Sequence, residues 1–228
     1  MSFYRANIPR LVVDSQAAVF RSLGLRHEQV ESELPHGEAI DDYLRREDWV
    51  DVAIFDIDCI PLDLGFLDHF DPDGIVGGAQ RAVHLSTEIY VSPAWIMFSR
   101  ATWSMIGQPS FAESADADVG AGVSRRARER GVRVSTVWPT SVRRARWQLT
   151  DETWFGDGTT WGRVVYHQFE ARHPSWSRVT FVRECRRISG ARAGRARVVA
   201  LAVSVLATSL RRSLVATRAR RAGGGSIG

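Results

Sequence analysis

The run WVDVAIFDID, residues 49–58, constrains the fold of this chain most strongly. It is almost continuously apolar and rich in β-branched residues, as is typical of a central strand covered on both faces. Helical patterns precede it at residues 7–24 and 36–48, with an extended segment at 25–34 between them. This alternation of helix and strand predicts an α/β sheet, in which ligands bind beyond the carboxyl ends of the strands.

The first helix has clear boundary signals. Asn7 is its expected N-cap, Pro9 lies in its first turn and Gly24 closes it.

The Gly-rich segment FGDGTTWG, residues 155–162, is interpreted as a loop, either a lid over a site or a hairpin connection. Further elements are predicted as a strand and short helix at 89–107, a helix at 117–131, a strand at 132–140 and a helix at 177–189.

Length and cysteine content limit the class of protein. With 228 residues, 44% of them apolar, the chain can bury one substantial core. Its two cysteines, Cys59 and Cys185, lie far apart and show neither a disulfide framework nor a zinc spacing, which favours a reducing compartment. The first ten residues contain no apolar signal-peptide core. We therefore expect a cytoplasmic protein.

Charge is distributed unevenly along the chain. All 30 basic residues are arginine, so a mechanism that needs a lysine is excluded. Ten arginines follow Glu184, after which no acidic residue occurs. Residues 1–184 therefore carry 20 arginines against 26 acidic residues, a net charge of −6. A mildly acidic body does not indicate a nucleic-acid partner, and we expect none.

The basic segment is expected to form a tail at residues 191–228, beyond one domain at residues 1–190. Its apolar core, Val198–Leu210, has 13 residues, short of the roughly 20 that cross a bilayer. Two interpretations stay open. The tail is either an amphipathic helix in peripheral contact with the anionic inner face of the membrane, or a helix packed on the domain or a partly disordered extension.

Two carboxylates, Asp56 and Asp58, end the apolar run. Neighbouring carboxylates repel each other, and a divalent ion removes the repulsion. Hard oxygen ligands suit Mn²⁺ or Mg²⁺, and side chains at positions i and i+2 of a strand point the same way. The sequence therefore predicts a metal site here, with a solvated strand-end turn as the alternative.

One family with an Asp-x-Asp strand end is the haloacid-dehalogenase-type phosphatases. The segment FDIDCI resembles their first motif, in which Asp56 would be the nucleophile and Asp58 the general acid/base. Ile60 stands where that motif has Thr or Val, and the chain lacks the lysine of their third motif. About fifty residues precede the motif, which usually lies near the N-terminus. The phosphatase stays open as an alternative.

The order of motifs more closely resembles glycosyltransferases of the GT-A type. FDIDCIPL is similar to their Asp-x-Asp strand end, and SPAWIMFSRATWSMIG to the strand and helix that follow. DADVGAGVSRRARERGVRV resembles their next acidic element, where an acid begins a helix, and VVYHQFEARH offers a late histidine. The resemblance spans residues 5–188 and implies a GT-A-like, Rossmann-like mixed sheet flanked by helices.

This resemblance implies metal-dependent transfer of a sugar from a nucleotide-sugar donor to an unknown hydroxyl acceptor. Asp56 and Asp58, with His167 as third ligand, would hold Mn²⁺ or Mg²⁺ on the donor diphosphate. Asp118, with Asp116 and Glu113 as neighbours, would be the base of an inverting enzyme.

Several residues keep a structural interpretation beside the functional one. Gly77 and Gly78 would let backbone approach the donor sugar, or they form a plain turn. His167 is either a metal ligand or a core histidine, whereas His36 and His173 are interpreted as structural.

The start of the chain leaves a further alternative open. Members of the GT-A family open with a full strand and loop that hold the base and ribose, but only SFY precedes Asn7. Three alternatives follow: the first strand is very short, the start of the fold is misassigned, or the donor pocket is incomplete. A degenerate transferase fold that binds without catalysis is thus the third interpretation.

Overall fold

The computed structural model describes residues 1–46, 48–82, 87–171 and 175–190. Within these ranges the chain forms two β-sheets and flanking helices. The larger sheet is mixed and has the strand order β2-β1-β3-β6-β5-β7. Its strands are β1 (Ser2–Tyr4), β2 (Gln29–Glu31), β3 (Asp51–Asp56), β5 (Gly74–Gln80), β6 (Tyr90–Ser99) and β7 (Arg133–Val137).

The helices predicted from the sequence are confirmed. The predicted fold class, α/β with a mixed sheet flanked by helices, is also confirmed. The five α-helices of the described ranges are α1 (Arg10–Ser22), α2 (His36–Leu44), α3 (Arg100–Met105), α4 (Ala121–Glu129) and α5 (Trp176–Ser189). A 3₁₀ helix, Leu64–His69, precedes β5.

Strand β3 is central, as its continuous apolar run predicted. It pairs with β1 in parallel and with β6 in antiparallel orientation. Ile54 packs into the core cluster on one face and Phe55 into the cluster on the other, and both are buried. Since β1, β2 and β3 run parallel, their carboxyl ends meet at one edge of the sheet.

The start of α1 differs from the prediction. Pro9 occupies the N-cap position in an extended conformation, with no side-chain cap hydrogen bond. The prediction that Asn7 caps this helix is wrong, because the chain is still extended two residues after it. The predicted end is confirmed: Gly24 has a φ of +71°, and the N–H of Leu25 donates to the carbonyl oxygen of Phe20 at 3.0 Å.

The second sheet corrects the interpretation of FGDGTTWG as a loop. All of this segment except Gly162 lies in a mostly buried strand between two antiparallel neighbours. A Cβ at Gly156 would collide with the carbonyl oxygen of Arg144, so this glycine permits close strand approach rather than flexibility. The strands of this second sheet are β4 (Cys59–Pro61), β8 (Pro139–Gln148), β9 (Trp154–Trp161) and β10 (Val165–Gln168), in the spatial order β4-β10-β9-β8.

Two predictions fall outside the described residues. These are the basic tail at 191–228, with its proposed membrane contact, and the structural interpretation of His173. Among the residues that are described, no helix combines the length and apolar character that crossing a membrane requires.

Candidate metal centre

The turn between β3 and β4 places the two aspartates. Strand β3 ends at Asp56, and β4 begins at Cys59 directly after Asp58. Buried Gln16 of α1 holds this turn: its Nε2 donates to the carbonyl oxygens of Asp56 at 2.7 Å and Cys59 at 2.8 Å. Gln29 orients that amide by donating to its Oε1 at 3.0 Å. The turn is therefore fixed through side chains from α1 and β2.

His167 reaches the aspartates through strand pairing. On β10 it lies opposite Cys59 of β4, and the N–H of Gln168 donates to the carbonyl oxygen of Asp58 at 2.9 Å. This register brings Nε2 of His167 to 3.4 Å from Oδ1 of Asp58. The other oxygen of Asp58 accepts a hydrogen bond from the N–H of Ala171 at 3.1 Å.

Asp56, Asp58 and His167 form a compact donor group. One ligand atom from each lies within 4.8 Å of those from the other two. Asp58 and His167 are buried, and Asp56 is partly buried. Two carboxylates and an imidazole suit Mn²⁺ well, and carboxylate oxygens also suit Mg²⁺. The residues therefore fit a divalent cation.

Aromatic rings pack against His167. The Trp161 ring stacks on it with centroids 5.8 Å apart and an interplanar angle of 9°, and Phe155 lies at the same centroid distance. Burial alone would lower the pKa of His167, but the neighbouring Asp58 and Asp56 outweigh burial and raise it. The aromatic packing fixes the ring, while the carboxylates attract positive charge to it.

Two cavities meet at Asp56. The larger, of about 420 Å³, lies beyond the carboxyl ends of β1 and β3, and its lining includes Arg5, Asn7 and His36. The smaller, of about 110 Å³, is lined by Asp58, His167, Gln80 and Glu170 among others. Asp56 belongs to both linings. The donor group therefore lies between a cleft and a smaller pocket.

His36, which was interpreted as a structural histidine, lies against the donor group. Its Nε2 lies 3.2 Å from Oδ1 of Asp56. The sequence around it carried no signal for this contact, because the contact depends on how α2 packs beside β1. Arg5 was also missed, although an arginine directly after a predicted strand is a recognisable position for an anion ligand.

Asp118 lies just before α4, and its carboxylate accepts two hydrogen bonds. Its Oδ2 accepts from the Tyr90 hydroxyl at 2.7 Å, and Oδ1 accepts from the N–H of Val119 at 2.9 Å. Burial, followed by the charge of Asp118, raises the pKa of Tyr90. Tyr90 pairs across the sheet with Gln80, which lines the smaller cavity. The role of Asp118 as a base stays a prediction.

Gly77 and Gly78 have a packing role in the structure. Both are buried in β5, where a Cβ on Gly77 would collide with the carbonyl oxygen of Trp95. A Cβ on Gly78 would lie 2.5–2.8 Å from ring carbons of Trp161. The space beside each Cα is thus occupied by a tryptophan, and contact with a donor sugar stays a prediction.

Comparison with known proteins gives one distant likeness. No protein-family model matches the chain, and no curated protein matches it. It is similar to the crystal structure of a mutant Drosophila β-1,4-galactosyltransferase 7 in complex with manganese, UDP-Gal and xylobiose. The two share 14% identity over 60% of this chain and 63% of that one, with a TM-score of 0.39. The chain thus spans less than two thirds of that protein, and its function must be argued from the site itself.

Proposed function

We propose that this chain is a metal-dependent glycosyltransferase that uses a nucleotide-sugar donor and a hydroxyl acceptor. The observation that carries the proposal is the convergence of Asp56, Asp58 and His167 between the larger cleft and the smaller cavity. Ligands of α/β sheets bind beyond the carboxyl ends of the strands, and a cation held there would neutralise the charge of a diphosphate.

Each part of the site has a distinct task in this reaction. The 420 Å³ cleft receives the nucleoside, and Arg5 at its wall supplies positive charge for the diphosphate. The sugar lies towards the smaller cavity, beside Gln80 and Glu170. Bound Mn²⁺ or Mg²⁺ would neutralise the charge that develops on the departing nucleoside diphosphate.

Asp118 is proposed as the base that removes the proton of the acceptor hydroxyl. Tyr90 of β6 orients this carboxylate by donating a hydrogen bond to it. The same hydrogen bond holds the segment before α4 beside β6. Buried Tyr90, with its raised pKa, stays protonated at neutral pH and keeps donating this hydrogen bond. Asp118→Asn is expected to abolish transfer while leaving metal and nucleotide binding intact.

The proposal is tested by thermal melting with Mn²⁺ and each of UDP, GDP, ADP, CDP and dTDP. One nucleotide is expected to raise the Tm only when Mn²⁺ is present. At about 100 times its Kd, a ligand stabilises the folded state by about 2.7 kcal/mol. Asp58→Asn is the matched control and should lose this response.

Absence of stabilisation by every nucleotide, in a folded chain, would refute the proposal. Where a nucleotide does bind, release of the diphosphate from the corresponding nucleotide sugar separates an enzyme from a degenerate fold. Binding without release, over a range of sugar and alcohol acceptors, would favour the non-catalytic alternative.

A further inference from the structure

A second histidine contacts the candidate metal centre at the wall of the larger cleft, whereas His167 lines the smaller cavity. His36 is the first residue of α2, and its Nε2 lies 3.2 Å from Oδ1 of Asp56. This nitrogen is buried and makes no hydrogen bond within the described residues, and the Asp56 carboxylate is the polar group that lies 3.2 Å from it. Both side chains line the larger cleft, so the contact lies at the wall where the nucleotide is proposed to bind.

We propose that His36 is a positioning residue that holds the Asp56 carboxylate towards Asp58 and His167. The distance is within reach of a charge-assisted hydrogen bond from the ring N–H to the carboxylate. Hydrogen bonds of this kind orient metal-binding carboxylates, and their loss weakens metal binding. The inference rests on the proposed metal centre and assigns one further residue to it.

The two histidines have different tasks because they face different atoms. His167 belongs to the group whose ligand atoms all lie within 4.8 Å of one another, together with Asp56 and Asp58. His36 is not a member of that group and contacts Asp56 from the cleft side. Its position suits an orienting hydrogen bond rather than coordination.

The backbone that carries His36 is held in place by close packing. A Cβ at the next residue, Gly37, would collide with the backbone of Phe111. Asp41, further along α2, accepts hydrogen bonds from the Ser110 hydroxyl and from the N–H of Phe111, the latter at 2.8 Å. A side chain on such a fixed element can define the orientation of its partner.

The test is the Kd for Mn²⁺ alone, measured by electron paramagnetic resonance on the full chain. His36→Ala is expected to weaken binding by about 10- to 100-fold. His36→Gln, whose amide nitrogen reaches a similar point, should recover most of the affinity. Glu38→Ala, on the exposed side of the same helix, should bind as the unsubstituted chain does.

Different results would contradict the role of His36 and the existence of the metal centre. Equal affinity of His36→Ala and the unsubstituted chain would overturn the role of His36 and leave the metal centre intact. Pulsed resonance spectra with two coordinated imidazoles, one of them lost in His36→Ala, would make His36 a ligand instead. No Mn²⁺ binding by the unsubstituted chain would overturn both. If His36→Ala does not fold, His36→Gln and the shorter His36→Asn provide the same comparison.

Discussion

Nε2 of His167 lies 3.4 Å from Oδ1 of Asp58, although the two residues are far apart in sequence. The pairing of β10 with β4 brings them together, since His167 lies opposite Cys59, the residue after Asp58. Two carboxylates that would otherwise repel each other thus gain a nitrogen donor at the same point. This relationship carries the proposed metal centre.

Asp56→Asn should weaken metal binding without destabilising the fold. We expect the rise in Tm on adding Mn²⁺ to disappear, because one of three donors loses its charge. The Tm without metal should be unchanged or higher, since the substitution removes one of two neighbouring negative charges. Thermal melting with and without Mn²⁺ measures both. Asp151→Asn, in an exposed loop, is the control, and an undiminished Mn²⁺ response in Asp56→Asn would argue against the site.

Gln16→Met should destabilise the turn that presents the aspartates. Met has a similar length but cannot donate to the carbonyl oxygens of Asp56 and Cys59. Leaving buried acceptors unsatisfied costs about 1–3 kcal/mol, which urea denaturation detects as a lower free energy of unfolding. Asp14→Asn, exposed on the same helix, should have little effect. The hypothesis fails if both variants unfold alike.

Gly78→Ala should disturb the support behind His167. The added methyl group would lie 2.5–2.8 Å from the ring of Trp161, which stacks on His167. Overpacking of this kind costs about 1–3 kcal/mol, and we expect weaker Mn²⁺ binding with it. Gly122→Ala, in α4 where the nearest atom is 4.0 Å from the new Cβ, should be neutral or stabilising. Equal effects of the two substitutions would contradict this account.

His27 should make the fold sensitive to acid. Burial lowers its pKa to about 3, its Nδ1 has no hydrogen-bond partner among the described residues, and its ring stacks on Phe20. Because this value is below the unfolded one of about 6.5, protonation favours the unfolded chain. The stability that His27 contributes is present above pH 6.5 and lost as the pH falls towards 3.

The measurement for His27 is urea denaturation between pH 7 and pH 4. At most about 1.4 kcal/mol per pH unit is expected from this residue. His27→Gln, which does not titrate, should show a shallower loss of stability over the same range. Identical pH dependence in the two proteins would show that His27 is not responsible.

The local sequence pattern was sufficient to predict strand β3 and the approximate positions of the helices. A continuous apolar run with a turn after it leaves few alternatives to a central strand, and Gly24 ends α1 because it accepts a positive φ. Glycine was misleading in β9, where it was interpreted as loop flexibility. There Gly156 is required by close contact with β8, and such a contact is not visible in the residues on either side.

The sequence by itself determined that two aspartates end a buried strand and, through a family resemblance, that His167 should lie beside them. Only the tertiary structure decided that Gln16 holds their turn and that His36 contacts Asp56. The physical reason is that both contacts depend on the packing of a helix against a segment distant from it in sequence. Periodicity along the chain records which face of α1 or α2 is buried, but not which polar atoms that face meets.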